Sequence, residues 1–196
     1  MYKKFFKRVL DILFSLLLII IFLPLYLIIG LLVLIIDRNK IIFKQERTGL
    51  NGKTFIIYKF STYKNNNISK LGSILRSLSL DELPQFYNVL KGDMSFVGPR
   101  PWILDYYNNM DNYQKRRVSV LPGIIGLAQV NGRNSIDIFK KIDYDLKYVD
   151  NISFILDLKI VIKSILVIFN KNDNSFTKGG IEKEINSLKK NNLKKK

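Results

Sequence analysis

The sequence predicts a small α/β domain, mostly helical, held to a membrane near its N-terminus. Three observations lead there: an uncharged run over residues 12–36 interrupted by Pro24, two short β-forming stretches around a turn of Gly49, Asn51 and Gly52, and helical spacing of apolar residues through most of the remaining chain. At 196 residues the chain is one domain with appendages, long enough to bury a core.

Leu, Ile, Val and Phe fill almost every place in the run, which exceeds the ~20 residues of a spanning helix. It is too long for a secretory signal, and no small-x-small cleavage site comes after it. Lys3, Lys4, Lys7 and Arg8 precede the run while Arg38, Lys40 and Lys44 come after it, which draws both ends to the cytoplasmic side. Pro24 lacks an N–H and clashes with the preceding turn, so it kinks or breaks the helix. Each arm, 12–23 and 25–36, is then ~18 Å long, short of a ~30 Å hydrocarbon core. A re-entrant hairpin and a kinked span both accommodate these facts, and spacing alone leaves the two open. Asp11, at the mouth, reads as a solvated cap or a local partner of Arg8.

Residues 41–43 and 54–60 are expected to be strands of a hairpin. A polar connector, 64–70, carries Asn65, Asn66 and Asn67, and 71–78 is a short amphipathic helix. A further helix over 81–90 is stopped by Lys91-Gly92-Asp93. Gly98-Pro99-Arg100-Pro101 excludes regular structure. Helical patterns recur over 103–120, ended by Pro122-Gly123, and over 136–148, beyond a turn at Asn131-Gly132-Arg133-Asn134. The apolar stretch 153–169 is interrupted by Asp157, Lys159 and Lys163, which suits a helix lying in the membrane interface or packed on the core. From Lys171 onward the chain is rich in Lys and Asn and is expected to be a disordered basic tail. The organisation is then 1–40, a basic segment and membrane helix; 41–170, the domain proper; and 171–196, the tail.

The formal charge is +16, from 32 Lys and Arg against 16 Asp and Glu, which calls for an anionic partner: nucleic acid, a lipid surface or a phosphorylated small molecule. Cys and His are both absent, so thiolate chemistry, disulfides and the usual general base are excluded. No Walker or Rossmann loop and no nucleophile elbow occurs, and no nucleic-acid reading module is present. The clusters of Tyr over 106–113 and 144–148 read as core.

Ser79-Leu80-Asp81-Glu82 reads structurally as a capping box, with Ser79 as the cap and Glu82 reaching back. Arg76 lies a little over one turn earlier, and Pro84 removes a backbone bond just inside the helix, so stability alone does not explain this helix start. A helix N-terminus also favours phosphate, and two adjacent carboxylates there suit phosphoryl chemistry. Asp81 is the candidate nucleophile and Glu82 the candidate ligand for Mg²⁺, which takes one or two carboxylates plus phosphate oxygens. Arg76 would neutralise phosphate charge. Pro99 and Pro101 stiffen the loop that carries Arg100, whose guanidinium suits a phosphate or carboxylate, although a solvated surface turn is the plainer reading.

In order and spacing these motifs resemble the bacterial sugar transferases, the monotopic polyprenyl-phosphate phosphoglycosyl transferases that begin surface-glycan assembly. The resemblance is carried by Lys7-Arg8-Val9-Leu10-Asp11, Phe43-Lys44-Gln45-Glu46-Arg47-Thr48-Gly49, Tyr58-Lys59-Phe60, the stretch from Arg76 through Asp81-Glu82-Leu83-Pro84-Gln85, the stretch from Gly92 to Pro101, Pro122-Gly123, and Gln129-Val130-Asn131-Gly132-Arg133. It implies a membrane helix hairpin that re-enters the cytoplasmic face, broken at Pro24, and a small α/β unit with interfacial helices on the inner membrane of a bacterium. It further implies transfer of a sugar-1-phosphate from a UDP-sugar to polyprenyl (undecaprenyl) phosphate with release of UMP. Asp81 would carry the phosphosugar and Glu82 would bind Mg²⁺. Lys59, Arg76, Pro99, Arg100, Asn131 and Arg133 are the implied substrate contacts. Membrane lipid is the implied surface and nucleic acid is not a partner; a homo-oligomer is compatible with the sequence without being required by it.

The chain departs from the family pattern at Leu23, Ser61, Tyr63, Val118 and Leu127, and its 64–70 connector is shorter than most. The alternative function is a catalytically weakened membrane scaffold with the same fold, against which the retained Arg76, Asp81, Glu82 and Arg100 speak. Neither the sugar nor the glycan pathway is legible in these residues.

Overall fold

The computed structural model describes residues 2–132, 136–169 and 180–194. Helices α1 (Lys7–Ile21) and α2 (Leu23–Leu32) form the N-terminal unit, with π-helical turns at Tyr2–Phe6 and Val33–Asp37. The two arms bend by 60° at Phe22, two residues before Pro24. Pro24 therefore sits in the first turn of α2, where its fixed φ suits a helix start. Among the described residues no single helix is long and apolar enough to cross a membrane, and the bent pair passes that test jointly, by length and composition. Leu13, Leu17, Ile20, Leu27, Leu31 and Ile35 on this pair are exposed.

Strands β1 (Ile42–Thr48) and β2 (Thr54–Phe60) form an antiparallel hairpin in register from Ile42↔Phe60 to Thr48↔Thr54. The first strand runs past the expected 41–43 into polar Lys44 to Arg47, because pairing with β2 holds residues that alternation alone does not mark. The connector is likewise ordered in part, as the two-residue strands β3 (Tyr63–Lys64) and β4 (Asn67–Ile68). Helix α3 (Lys70–Ser77) is capped by Ser69 and lies so close to the end of β2 that a Cβ on Gly72 would meet the Thr62 carbonyl oxygen at 2.1 Å.

Helix α4 (Gln85–Lys91) is centred in the core. Its Asn88, fully buried, accepts from the Tyr58 amide at 3.1 Å and donates to the Ile56 carbonyl at 2.7 Å. Val89 and Met94, at 0 % exposure, pack with Ile29, Val33, Ile57, Phe60, Leu75 and Phe86, each such side chain contributing roughly 1.5–3 kcal/mol of burial. Strand β5 (Ser95–Val97) pairs in parallel with β6 (Gly123–Ile125), a pair too short to leave a periodic trace in the sequence. Gly123 is required there, since a Cβ on it would fall 2.0 Å from the Gly98 nitrogen.

The expected helix over 103–120 is broken into α5 (Leu104–Asn108), α6 (Asn112–Lys115) and a 3₁₀ turn at Arg116–Val118. Asp111 and Gln114 form a capping box that starts α6, a signal that the continuous helical pattern masks. Then come α7 (Leu127–Val130), α8 (Ile138–Asp150) and α9 (Phe154–Phe169). On α9, Phe154, Ile155, Leu158, Ile162, Ile165 and Leu166 face outward, while Asp157 is buried.

Two expectations are overturned. Asp11 is not a solvated cap: it is buried and accepts from the Phe96 amide at 2.9 Å, while Arg8 donates to the Val89 and Leu90 carbonyls at the end of α4. The stretch read as a disordered tail contains helix α10 (Gly180–Lys194), whose Leu188 is completely buried against Tyr106, Met110, Ile138, Ile142 and Leu146. Ile185 and Leu188, three residues apart, make one apolar stripe, and a stripe that finds a partner orders a helix that composition alone marks as polar. The first part of that stretch, residues 171–179, lies outside the described residues.

Candidate active site

The two carboxylates are set by a break between helices rather than by a capped helix start. Ser79 donates its amide to the Arg76 carbonyl as the last residue of the α3 turn and takes a left-handed conformation, φ 57°. Its side chain caps nothing, so the expected capping box does not form. Leu80–Glu82 then make one 3₁₀ turn, and α4 starts only after Pro84. A left-handed serine costs ~1–2 kcal/mol, the kind of local cost that surrounding packing sustains at functional sites. Here the bent helix pair supplies part of that packing: the Tyr26 hydroxyl on α2 donates to the Leu83 carbonyl at 2.6 Å.

Around this turn the structure brings together Lys59 from the end of β2 and Arg100 from the loop after β5. Glu82 Oε1 accepts from Lys59 Nζ at 2.7 Å and from Arg100 Nη2 at 2.6 Å, and Oε2 lies 3.4 Å from Arg100 Nη1. Asp81 is held differently. Its Oδ2 stands 3.9 Å from Lys59 Nζ, and among the described residues it accepts no hydrogen bond. The two neighbours are therefore driven in opposite directions. Burial raises the Asp81 carboxyl above the usual range, with Lys59 opposing and the Glu82 charge adding to it. Burial also works against charge on Glu82, but Arg100 and Lys59 outweigh it and hold that carboxyl well below the usual range. Burial lowers Lys59, and the Glu82 charge raises Arg100.

Arg76, in the last turn of α3, bonds Thr62 through Nε at 2.9 Å, lies over the Tyr63 ring at 4.8 Å and adds positive potential at Asp81. Tyr63 thus serves as the shelf for Arg76. Arg47, assigned no role from sequence although it lies in a family-like motif, joins the same field: burial and then the Arg100 charge push it down to about 10. Pro99 is buried and its carbonyl accepts from Gly123 at 2.9 Å, fixing the Arg100 loop to β6. Asn131 is not brought to this centre. Its side chain donates to the Leu127 carbonyl and accepts from Lys163 on α9. Arg133 lies outside the described residues.

Sequence reasoning missed the support behind Arg100. Arg117 donates to the Arg100 carbonyl at 2.7 Å and pairs with Asp145 at 2.7 Å, both partners of that pair at 2 % side-chain exposure. Its guanidinium lies 3.8 Å over the Trp102 ring. Nothing local in the sequence joins residues 28 positions apart, so only the fold makes the pair visible.

Hard carboxylate oxygens of Asp81 and Glu82 fit Mg²⁺ by type. Among the described residues no cluster of three or more acidic, His or Cys side chains forms a self-contained metal cage, so the remaining ligands would be phosphate oxygens and water. One carboxylate only loosely paired with Lys59 stands beside a clamped one, with Lys59, Arg76 and Arg100 acting on the first and Arg47 on the second, so the two acids lie in a strongly positive field.

Comparison with known sequences takes the class further. The family model described as bacterial sugar transferase matches residues 2–171. The chain belongs to that family and is an enzyme of it. It is 49 % identical over 135 residues to the uncharacterized sugar transferase EpsL of Bacillus subtilis, covering 63 % of this chain and 67 % of that one. It is 40 % identical over 178 residues to UDP-glucose:undecaprenyl-phosphate glucose-1-phosphate transferase of Klebsiella pneumoniae, covering 80 % of this chain and 38 % of that one. It is 37 % identical over 185 residues to UDP-N-acetylgalactosamine-undecaprenyl-phosphate N-acetylgalactosaminephosphotransferase of Aeromonas hydrophila, covering 84 % and 44 %. The chain thus spans less than half the length of the last two relatives.

Proposed function

We propose that this protein moves a sugar-1-phosphate from a UDP-sugar to undecaprenyl phosphate and releases UMP, as the first membrane step of glycan assembly. The observation that carries the reading is the unequal pair: Asp81 accepts no hydrogen bond among the described residues, while Glu82 is clamped by Lys59 and Arg100. In the first step an Asp81 carboxylate oxygen attacks the sugar-bearing phosphorus. The bond from that phosphorus to the bridging oxygen breaks, and UMP leaves with the electron pair. In the second step the polyprenyl phosphate oxygen attacks the same phosphorus and frees the Asp81 carboxylate. One phosphoanhydride replaces another, so no further energy source enters.

Lys59, Arg76 and Arg100 supply positive charge to the donor diphosphate, and in the free protein Arg100 and Lys59 hold Glu82 anionic. Bound Mg²⁺, held by Glu82 and phosphate oxygens, would neutralise charge on the diphosphate. Arg100 and Lys59 engage Glu82 in the free protein, so the donor phosphates compete with Glu82 for these two cations.

The apolar arms of α1 and α2 are read as a re-entrant hairpin entering and leaving by the cytoplasmic face of the inner membrane. At 15 residues α1 is about 22 Å long, short of a ~30 Å core. The outward apolar residues of α9 would lie in the same interface. Tyr26 of the hairpin touches the residue after Glu82, so this orientation brings the carboxylates near headgroup depth, where a dissolved donor meets an acceptor that cannot leave the lipid. Purified protein with undecaprenyl phosphate, Mg²⁺ and a panel of UDP-sugars is expected to release UMP with at least one donor. A panel spanning glucose, galactose and their N-acetylated amines that yields none contradicts the reading.

A further inference from the structure

Helix α10 lies beyond residues 2–171, the span that the family match covers, so membership of the family assigns it nothing. It is nonetheless docked on a defined part of the domain. Glu184 accepts from the Tyr106 hydroxyl on α5 at 2.6 Å through one oxygen and from Lys141 on α8 at 2.6 Å through the other. Leu188 is buried between the same two helices, and Asn192 donates to the Asn109 carbonyl at 2.7 Å.

Both partners of Glu184 lead to Arg100. The Tyr106 ring packs on Trp102 with centroids 4.9 Å apart, and Trp102 lies under the Arg117 guanidinium. Lys141 stands one turn before Asp145 on α8, and its charge acts on that carboxylate, which pairs with Arg117. Arg117 in turn holds the Arg100 carbonyl. The Trp102 carbonyl also accepts from the Thr48 amide at 2.8 Å, next to Arg47. The loop bearing Arg100 is thus held on its far side by Arg117 and Trp102, and α10 fixes the next side chains along, Tyr106 against Trp102 and Lys141 beside Asp145.

We infer that α10 is a positioning element for the Arg100 loop, with Glu184 and Leu188 as its anchors, and that its docking tightens the grip of the site on the donor phosphates. The inference rests on reading Arg100 as a donor contact. Two contacts from one carboxylate, to α5 and to α8, set the spacing between the helix whose Tyr106 packs on Trp102 and the helix that carries Asp145. A loop held within a fraction of an ångström presents its guanidinium without further ordering, and a loosened one does not.

Trp102 is the single tryptophan of the chain, which makes the loop observable without any substrate. Protein lacking residues 180–194 is expected to show red-shifted Trp102 emission and stronger acrylamide quenching, both reversed by a synthetic peptide of residues 180–194. Glu184→Gln, which keeps the helix, is expected to move both in the same direction by less. With UDP-glucose, or whichever panel donor is turned over, the truncation is expected to raise donor KM about fivefold while kcat and the undecaprenyl phosphate KM stay within about twofold. In an Arg117→Lys background the truncation is expected to add nothing further to donor KM.

Unchanged Trp102 emission and quenching in folded truncated protein would overturn the inference. So would a changed Trp102 with an unaltered donor KM, or losses that add fully in the Arg117→Lys background. A wild-type protein that releases no UMP from any donor defeats the transfer reading instead, and Trp102 then still decides whether α10 holds the loop.

Discussion

The front and the back of the Arg100 loop use charge in opposite ways. At the front, Glu82 meets Arg100 and Lys59, and the Arg100 side chain is 39 % exposed, open to exchange with a dissolved anion on the reading proposed above. At the back, Arg117 and Asp145 are at 2 % exposure, the guanidinium lying over Trp102, where no solute reaches. Similar ion pairs thus differ in purpose according to solvent access: the front pair is exchangeable and the back pair is fixed. The Arg100 guanidinium faces Glu82 at the front while the carbonyl of the same residue is tied at the back.

The largest effect is expected at Asp81. Asp81→Asn is expected to abolish UMP release while leaving the protein folded and, near neutral pH, as stable as the wild type or more so. The sign comes from burial: a carboxyl whose folded pKa is raised favours folding at low pH, and that contribution is lost as pH rises through the folded value. Removing its charge removes a cost. Loss of stability together with activity would move Asp81 from chemistry to structure.

Glu82→Gln is expected to slow turnover by about 10²-fold or more and also to destabilise the fold. Its folded pKa is depressed, so its stabilising contribution is present above the ordinary carboxylate value and lost as pH falls through the folded value. The stability gap between wild type and Glu82→Gln is therefore expected to narrow below about pH 4 in thermal melts. Asp145→Asn, which leaves Arg117 without its partner, is expected to cost about 3 kcal/mol in denaturant unfolding, with a raised donor KM. A neutral outcome would erase the distinction between front and back. The smallest effect concerns pH: the acidic limb of the donor half-reaction is expected above the free-carboxylate value of about 3.9, because burial raises Asp81. A limb at or below that value would remove the buried nucleophile.

How much of the molecule is legible in its sequence depends on whether the cause is local. The apolar run and Pro24 fix a bent helix pair by composition and by one missing N–H, and the bend lies within two residues of the expected place. Lys59, Asp81, Glu82 and Arg100 each stand out in motifs, and the fold joins them. The shape of their turn is hidden, because Ser79 carries every sign of a cap and is instead forced left-handed by the end of α3. Asn131 sits in a family-like motif, yet its side chain answers to α7 and α9. The Arg117 and Asp145 pair, the parallel β5 and β6, and the docking of α10 depend on contacts far apart in the chain, which neither propensity nor period encodes. For α10 the signal is Ile185 and Leu188, two apolar positions outvoted by a run of Lys and Asn.

The most direct measurement is intact-protein mass spectrometry of the enzyme given a UDP-sugar it turns over, with Mg²⁺ and without polyprenyl phosphate. If Asp81 is the nucleophile, the protein gains the mass of one phosphosugar, mapped by digestion to Asp81, absent from Asp81→Asn and discharged on adding undecaprenyl phosphate. Turnover with no such adduct on Asp81, at any time sampled across the donor half-reaction, would contradict that role.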